Sequence, residues 1–211
     1  TRIQHFECLR LNAADARDAA RTVLRLRVAK PYMEAAVTCL KALGIDRTFH
    51  GVHLRRGDFA SFRPQTQWHG ASLIARIRRA FPSMESEWPL LVACVTDPNE
   101  HDPYPEMRAT LAERRVVRTD EAYGAHCNQL HRIVVDTLML AQATRFAGTP
   151  DSTFSSGVWH WRACERARQG VRPEVATGLD VMHQPQQGSC WQRCTTFSAL
   201  DLAPHKREAP P

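Results

Sequence analysis

The feature that most constrains this chain is the order in which two hydrophobic periods take turns. Short runs of strand length, His50–Arg55, Leu90–Thr96, Val116–Val117 and Arg145–Gly148, are separated by longer stretches of helical period. Ala71–Phe81 and Pro105–Arg115 read as helices, the second opened by proline in the tolerated first turn. His126–Thr144 reads as a long helix with Leu130, Ile133, Val134, Leu138 and Ala141 along one face, and a last helix runs over Thr153–Arg168. Before the first strand, Asn12–Val28 and a segment from Pro31 to Leu43 are helical in pattern, with Gly44 offering a left-handed stop. Strand and helix in this order predict an α/β fold: a Rossmann-like parallel sheet with helices on both faces.

The periodicity defines the expected extent of the folded unit. Residues 1–11 read as an N-terminal segment, 12–170 as the Rossmann-like lobe and 171–211 as an irregular tail in which Pro, Gln and Gly replace the apolar pattern. No apolar run reaches the roughly 20 residues of a membrane-spanning helix, so no membrane span is expected. The first twenty residues lack the apolar centre of a secretory signal, so targeting information is expected to lie outside this chain.

A net charge of +6 is compatible with nucleic acid or with an anionic small ligand. Arg76, Arg78, Arg79, Arg114 and Arg115 fall on several helices, and aromatics are not interleaved on a sheet, so a nucleic-acid partner is not expected. The cysteine count is seven, which leaves at least one outside any internal pairing. Cys39 and Cys94 stand in apolar segments and read as buried thiols. Cys190 and Cys194 have no second pair at zinc-type spacing, so no metal is expected.

In an open parallel sheet, ligands bind beyond the carboxyl ends of the strands. Two such ends carry groups suited to phosphate. At the first, Gly51-Val52-His53-Leu54-Arg55-Arg56-Gly57-Asp58, alternation puts His53 and Arg55 on one face and Leu54 and Arg56 on the other. Arg55 is the ligand candidate, since a guanidinium grips a diphosphate with two donors, whereas Arg56 and Asp58 read as a local ion pair. His53 fits either a ligand contact or a satisfied core position. At the second, Gly148-Thr149-Pro150-Asp151-Ser152-Thr153-Phe154-Ser155, a strand stops and a helix starts. Helix-start amides attract an anion, although Asp151 or Ser152 as a plain cap explains the same residues. Asp136 reads either as an exposed aspartate or as an acceptor for the N1–H and N2–H of guanine. Neither G-x-x-x-x-G-K-[ST] nor G-x-G-x-x-G is present.

These segments together, His53-Leu54-Arg55-Arg56-Gly57-Asp58-Phe59, Asp136, Arg145-Phe146-Ala147-Gly148-Thr149 and Ser152-Thr153-Phe154-Ser155, resemble the GDP-fucose protein O-fucosyltransferase family, most closely its thrombospondin-repeat type. The resemblance covers about residues 25–168. It implies the C-terminal lobe of a GT-B glycosyltransferase that binds GDP-fucose and transfers fucose, with inversion, to a hydroxyl of a protein acceptor; the α1,6-type enzymes acting on glycans share a similar strand end. By position it implies donor contacts from His53, Leu54 and Arg55, with Arg55 also catalytic, base recognition by Asp136, and contacts from Ser152, Thr153 and Phe154. It further implies no cofactor beyond the donor, and a site of action in the lumen of the endoplasmic reticulum or Golgi. About 50 residues precede His53, fewer than a second Rossmann-like lobe needs, and they hold no glycine-rich donor loop or matching glutamate. A non-catalytic nucleotide-sugar-binding module is therefore the alternative expectation.

Overall fold

The computed structural model describes residues 28–46, 48–57, 61, 64, 67–81, 87–95, 101–123, 129–149, 152–169 and 177–178. The expected helix over Asn12–Val28, Asp58 and Asp151, and the tail cysteines lie outside the described residues, which reach only Val28 of that helix. Contacts divide the chain into two compact units. One, Val28–Arg162 with Val175–Gln184, contains the sheet; of the other, residues 163–169 are described.

In chain order the elements are α1 (Lys30–Ala42), β1 (His50–Arg55), α2 (Gly70–Ala80), β2 (Leu90–Val95), α3 (Tyr104–Thr110), β3 (Val116–Arg118), a 3-10 turn (Thr119–Ala122), α4 (Gln129–Ala141), β4 (Arg145–Gly148), α5 (Thr153–Arg168) and β5 (Thr177–Gly178). The five strands form one sheet in the order β3-β2-β1-β4-β5, and every neighbouring pair is parallel. The expected α/β class with a parallel, Rossmann-like sheet is therefore observed. The two-residue β5, set within the stretch expected to be irregular, pairs Ala147 with Thr177 and Gly148 with Gly178.

Each face of the sheet is covered for a reason visible in the residues. Val52 and Leu54 of β1 and Leu90, Val92 and Cys94 of β2 join Leu73, Ile74 and Ile77 of α2 and Met107 of α3 in one buried core. Leu73, Ile77 and Ala80 recur at helical spacing, which turns one side of α2 onto the sheet. On the opposite face Gly51 lets the helix above approach: a β-carbon there would lie 3.1 Å from Ala143 Cβ and Leu140 Cδ2. Phe146 of β4 meets Trp159 of α5 edge-on at 5.4 Å.

Helix ends follow their sequence signals in part. Gly44, at φ +63°, closes α1, with its N–H donating to Lys41 O and the N–H of Ile45 donating to Leu40 O. That paired closure leaves two carbonyls satisfied. The helix expected over Pro105–Arg115 stops at Thr110. Leu111 leaves helical geometry at ψ 41° while staying fully buried, and the turn it starts brings the chain into β3 at Val116. Cys39 and Cys94 are buried thiols, as expected. Among the described residues no helix is long and apolar enough to cross a membrane.

The carboxyl end of α4 is held by a side chain from α5. Arg162, only 5% exposed, donates to Ala141 O at 3.0 Å, to Thr144 O at 3.1 Å and to Ala143 O. A cation there meets the negative end of the helix and the carbonyls that no further turn satisfies. Arg162→Met should lower the unfolding free energy in urea by about 1–3 kcal/mol, while Arg79→Met, at an exposed position of α2, should leave the midpoint almost unchanged.

Candidate functional site

The strand order fixes where a ligand can sit. From β1 the chain steps to β2 and β3 on one side, then returns to place β4 on the other. In parallel sheets of this kind, a reversal of strand order such as that between β1 and β4 is where ligands bind, beyond the carboxyl ends of the strands. His53 and Arg55 end one of these strands, and Gly148 ends the other directly opposite His53.

Thr149 joins the two strands just beyond the last ladder pair. Its hydroxyl donates to His53 O at 3.0 Å and accepts the Arg55 N–H at 2.9 Å, while its own N–H donates to His53 O at 3.1 Å. The backbone of β1 thus remains satisfied where β4 has already left the sheet. Sequence reasoning gave Thr149 no role. The available signal was a hydroxyl residue between the last strand residue and a proline, where an extended, sheet-like conformation is favoured.

Gly148 and Ser155 bring α5 against this end. A β-carbon on Gly148 would lie 2.6 Å from Ser155 Oγ, so no side chain fits there without moving the helix. Ser155, fully buried, meets His53 Nδ1 through its hydroxyl at 2.7 Å, and the Phe154 ring lies 4.4 Å from the His53 ring. Ser152 works as the cap: its Oγ accepts the Ser155 N–H at 3.5 Å, and its carbonyl accepts the N–H of Ser156. Among the described residues no hydrogen bond engages the amides of Thr153 and Phe154, the first two of the helix. Ser152 is buried, Thr153 exposed and Phe154 half-buried.

Alternation along β1 is as expected. His53 faces α5 and Arg55 shares its side, half-buried. The Leu54 side chain points the other way into the core. Arg56 also points away, and its buried guanidinium donates to Trp68 O at 2.5 Å and to Gln67 Oε1 at 3.4 Å. Gln67 in turn donates to Arg55 O at 3.2 Å. The end of β1 is therefore clamped by Gln67 and Trp68, and Gly57 follows it at φ +69°, in the left-handed region.

Asp136 belongs to a separate polar cluster. It is 6% exposed and accepts hydrogen bonds from the Tyr123 hydroxyl and from Thr119. It is thus not the solvated aspartate of a plain helix surface. Burial pushes its carboxyl up to about 6 against those two hydrogen bonds and the Arg132 charge, which pull it down. The Cys94 thiol at the end of β2 is pushed up to about 12 by burial and is inert as a nucleophile at neutral pH.

Burial, and then the Arg55 charge, hold His53 down to about 3, so the ring is neutral at neutral pH. Its folded value lies below the unfolded one, so this contribution to stability is complete above pH 6.5 and is lost as pH falls toward 3. His53→Gln should therefore reduce the loss of stability between pH 7 and pH 5 by roughly 2 kcal/mol, measured by urea unfolding at both values. An unchanged acid slope would show that His53 charges freely in the folded protein.

No protein-family model matches the chain, and no curated protein is significantly similar to it.

Proposed function

We propose that this chain binds a guanine-nucleotide sugar, GDP-fucose, and is the C-terminal donor lobe of a GT-B fucosyltransferase that inverts the anomeric carbon. The observation that carries this reading is the convergence of His53, Arg55 and the start of α5 at the point where the strand order reverses. The diphosphate lies between the Arg55 guanidinium and the amides of Thr153 and Phe154, in a positive end that a helix start provides without a metal. The resemblance to the protein O-fucosyltransferases supports the choice of GDP-fucose and of a hydroxyl acceptor on a protein or glycan, met in the lumen of the secretory pathway.

In this mechanism the acceptor oxygen bonds to the sugar's anomeric carbon from the face opposite the departing group. The bond from that carbon to the β-phosphate oxygen breaks, its electron pair stays on GDP, and the acceptor's hydroxyl proton leaves to solvent. Arg55 stabilises the charge that develops there, and the neutral His53, fixed by Ser155, meets the phosphate without adding a second positive charge. Held near 3, His53 does not take the acceptor's proton at neutral pH. That observation favours, as a second reading, a module that binds the nucleotide sugar without turning it over.

Two measurements test the proposal. GDP should raise the melting temperature of the chain more than ADP or UDP at equal concentration; equal shifts from all three would remove the guanine assignment. By calorimetry, Arg55→Ala should lose about 2–5 kcal/mol of GDP affinity, and Arg55→Lys should restore only part of it, because an ammonium lacks the two-pronged contact. Arg56→Ala should lower stability more than affinity, given its bonds to Trp68 and Gln67. A folded Arg55→Ala protein that binds GDP like the unaltered chain would overturn the donor site.

A further inference from the structure

Helix α1 carries apolar side chains on both of its faces. Ala36, Cys39 and Leu40 recur at helical spacing on the buried side. Lys30, Met33, Glu34, Val37 and Lys41 recur at the same spacing on the outer side, within about 100° of the helix circumference, and all of them are exposed. Met33 is 36% exposed and Val37 38%. Among the described residues the other large apolar side chains at the surface are Ile133 and Val134, on α4, the helix that α1 packs against. The exposed large hydrophobics are thus gathered on two neighbouring helices, where scattered single ones would need no explanation.

The charges on this outer stripe are arranged about Val37. Glu34 stands one turn before it and Lys41 one turn after it. Lys30, which pairs with Glu34 at 3.5 Å, stands two turns before it, and the exposed Asp46 lies beyond the carboxyl end of the helix. Going outward from Val37 in the two directions, the signs are therefore opposite at each step. A stripe with this pattern complements itself when turned end for end. A groove of about 130 Å³ lies beside it, lined by the buried Leu40, Ile45 and Phe49 and by Val37, Lys41 and Asp46.

We propose that this face of α1 docks a second copy of the chain, with the two α1 helices antiparallel across a two-fold axis near Val37. The axis sets Val37 against the partner's Val37, Glu34 beside the partner's Lys41, and Lys30 toward the partner's Asp46 and the negative end of its helix. Each ion pair occurs twice. Met33 reaches the partner's groove, where a flexible thioether side chain fills irregular gaps. A parallel pair would instead bring Glu34 against Glu34 and Lys41 against Lys41. Glu34 and Asp46 also oppose docking on an anionic lipid or nucleic-acid surface, which would call for cations alone. Docking through α1 is independent of GDP binding at the carboxyl ends of β1 and β4.

Sedimentation velocity of the full chain, from micromolar to sub-millimolar concentration, should show the 23.9 kDa monomer giving way reversibly to a species of twice that mass. Val37→Asp sets two carboxylates on the axis and should weaken association at least about tenfold, with the helix content and melting temperature of the dilute monomer unchanged. Glu34→Lys and Lys41→Glu should each weaken it roughly tenfold, because each places like charges together at both pairs. An equimolar mixture of these two variants should regain the dimer, since a Glu34→Lys chain facing a Lys41→Glu chain has opposite charges at both pairs again. That recovery requires the antiparallel register, and a folding defect in either variant would not produce it. A chain that stays monomeric over the whole range, a dimer that survives Val37→Asp, or a mixture no more dimeric than its components would each overturn the proposal. A lower melting temperature of the dilute Val37→Asp monomer would show that the chain itself covers this face, and would overturn it too.

Discussion

The Thr149 hydroxyl is the contact on which the upper edge of the sheet depends. Parallel strands satisfy their backbones only where a neighbour runs beside them, and β4 ends at Gly148, opposite His53, while β1 continues to Arg55. Without Thr149 the N–H of Arg55 would face a partner strand that is no longer there. With it, His53 and Arg55 are carried past the end of β4 on a rigid backbone, and α5 starts close beside them. Ligand binding at a strand-order reversal is a general property of such sheets; here the close approach of α5 to that point follows from this bridge and from the missing side chain at Gly148.

Charge is distributed across β1 with the same economy of space. Two consecutive arginines would repel if they shared a pocket, but alternation sends Arg56 into hydrogen bonds with Trp68 and Gln67 and leaves Arg55 on the side of His53 and α5. The buried His53 does not add to that charge, because burial and Arg55 both oppose its protonation. Among the described residues, the result is a half-buried permanent cation, Arg55, beside a neutral ring and a helix start. Asp102, Asp120 and Asp136, among the described residues, are bound up with Arg118, Arg132, Tyr123 and Thr119 around the end of β3.

Much of this protein was determined by local sequence alone. β1 and β4 occur as read, and α5 runs over the residues its pattern indicates, because a two-residue or 3.6-residue period needs only near neighbours to express itself. The stop at Gly44 and the division of His53 and Arg55 from Leu54 and Arg56 are local in the same sense. What the tertiary structure decided are the relations between residues far apart in the chain. Strand order, and with it the point of reversal, depends on which strands pair, and nothing in the apolar runs specifies that β4 lies beside β1. Thr149 bonding His53, Ser155 meeting the His53 ring and Gln67 holding the Arg55 carbonyl are contacts between separate segments, so no single segment announces them. The two readings that residue type left open for Asp136 differ only in what surrounds it, and burial against Tyr123 and Thr119, groups that α4 does not itself supply, excludes the exposed one.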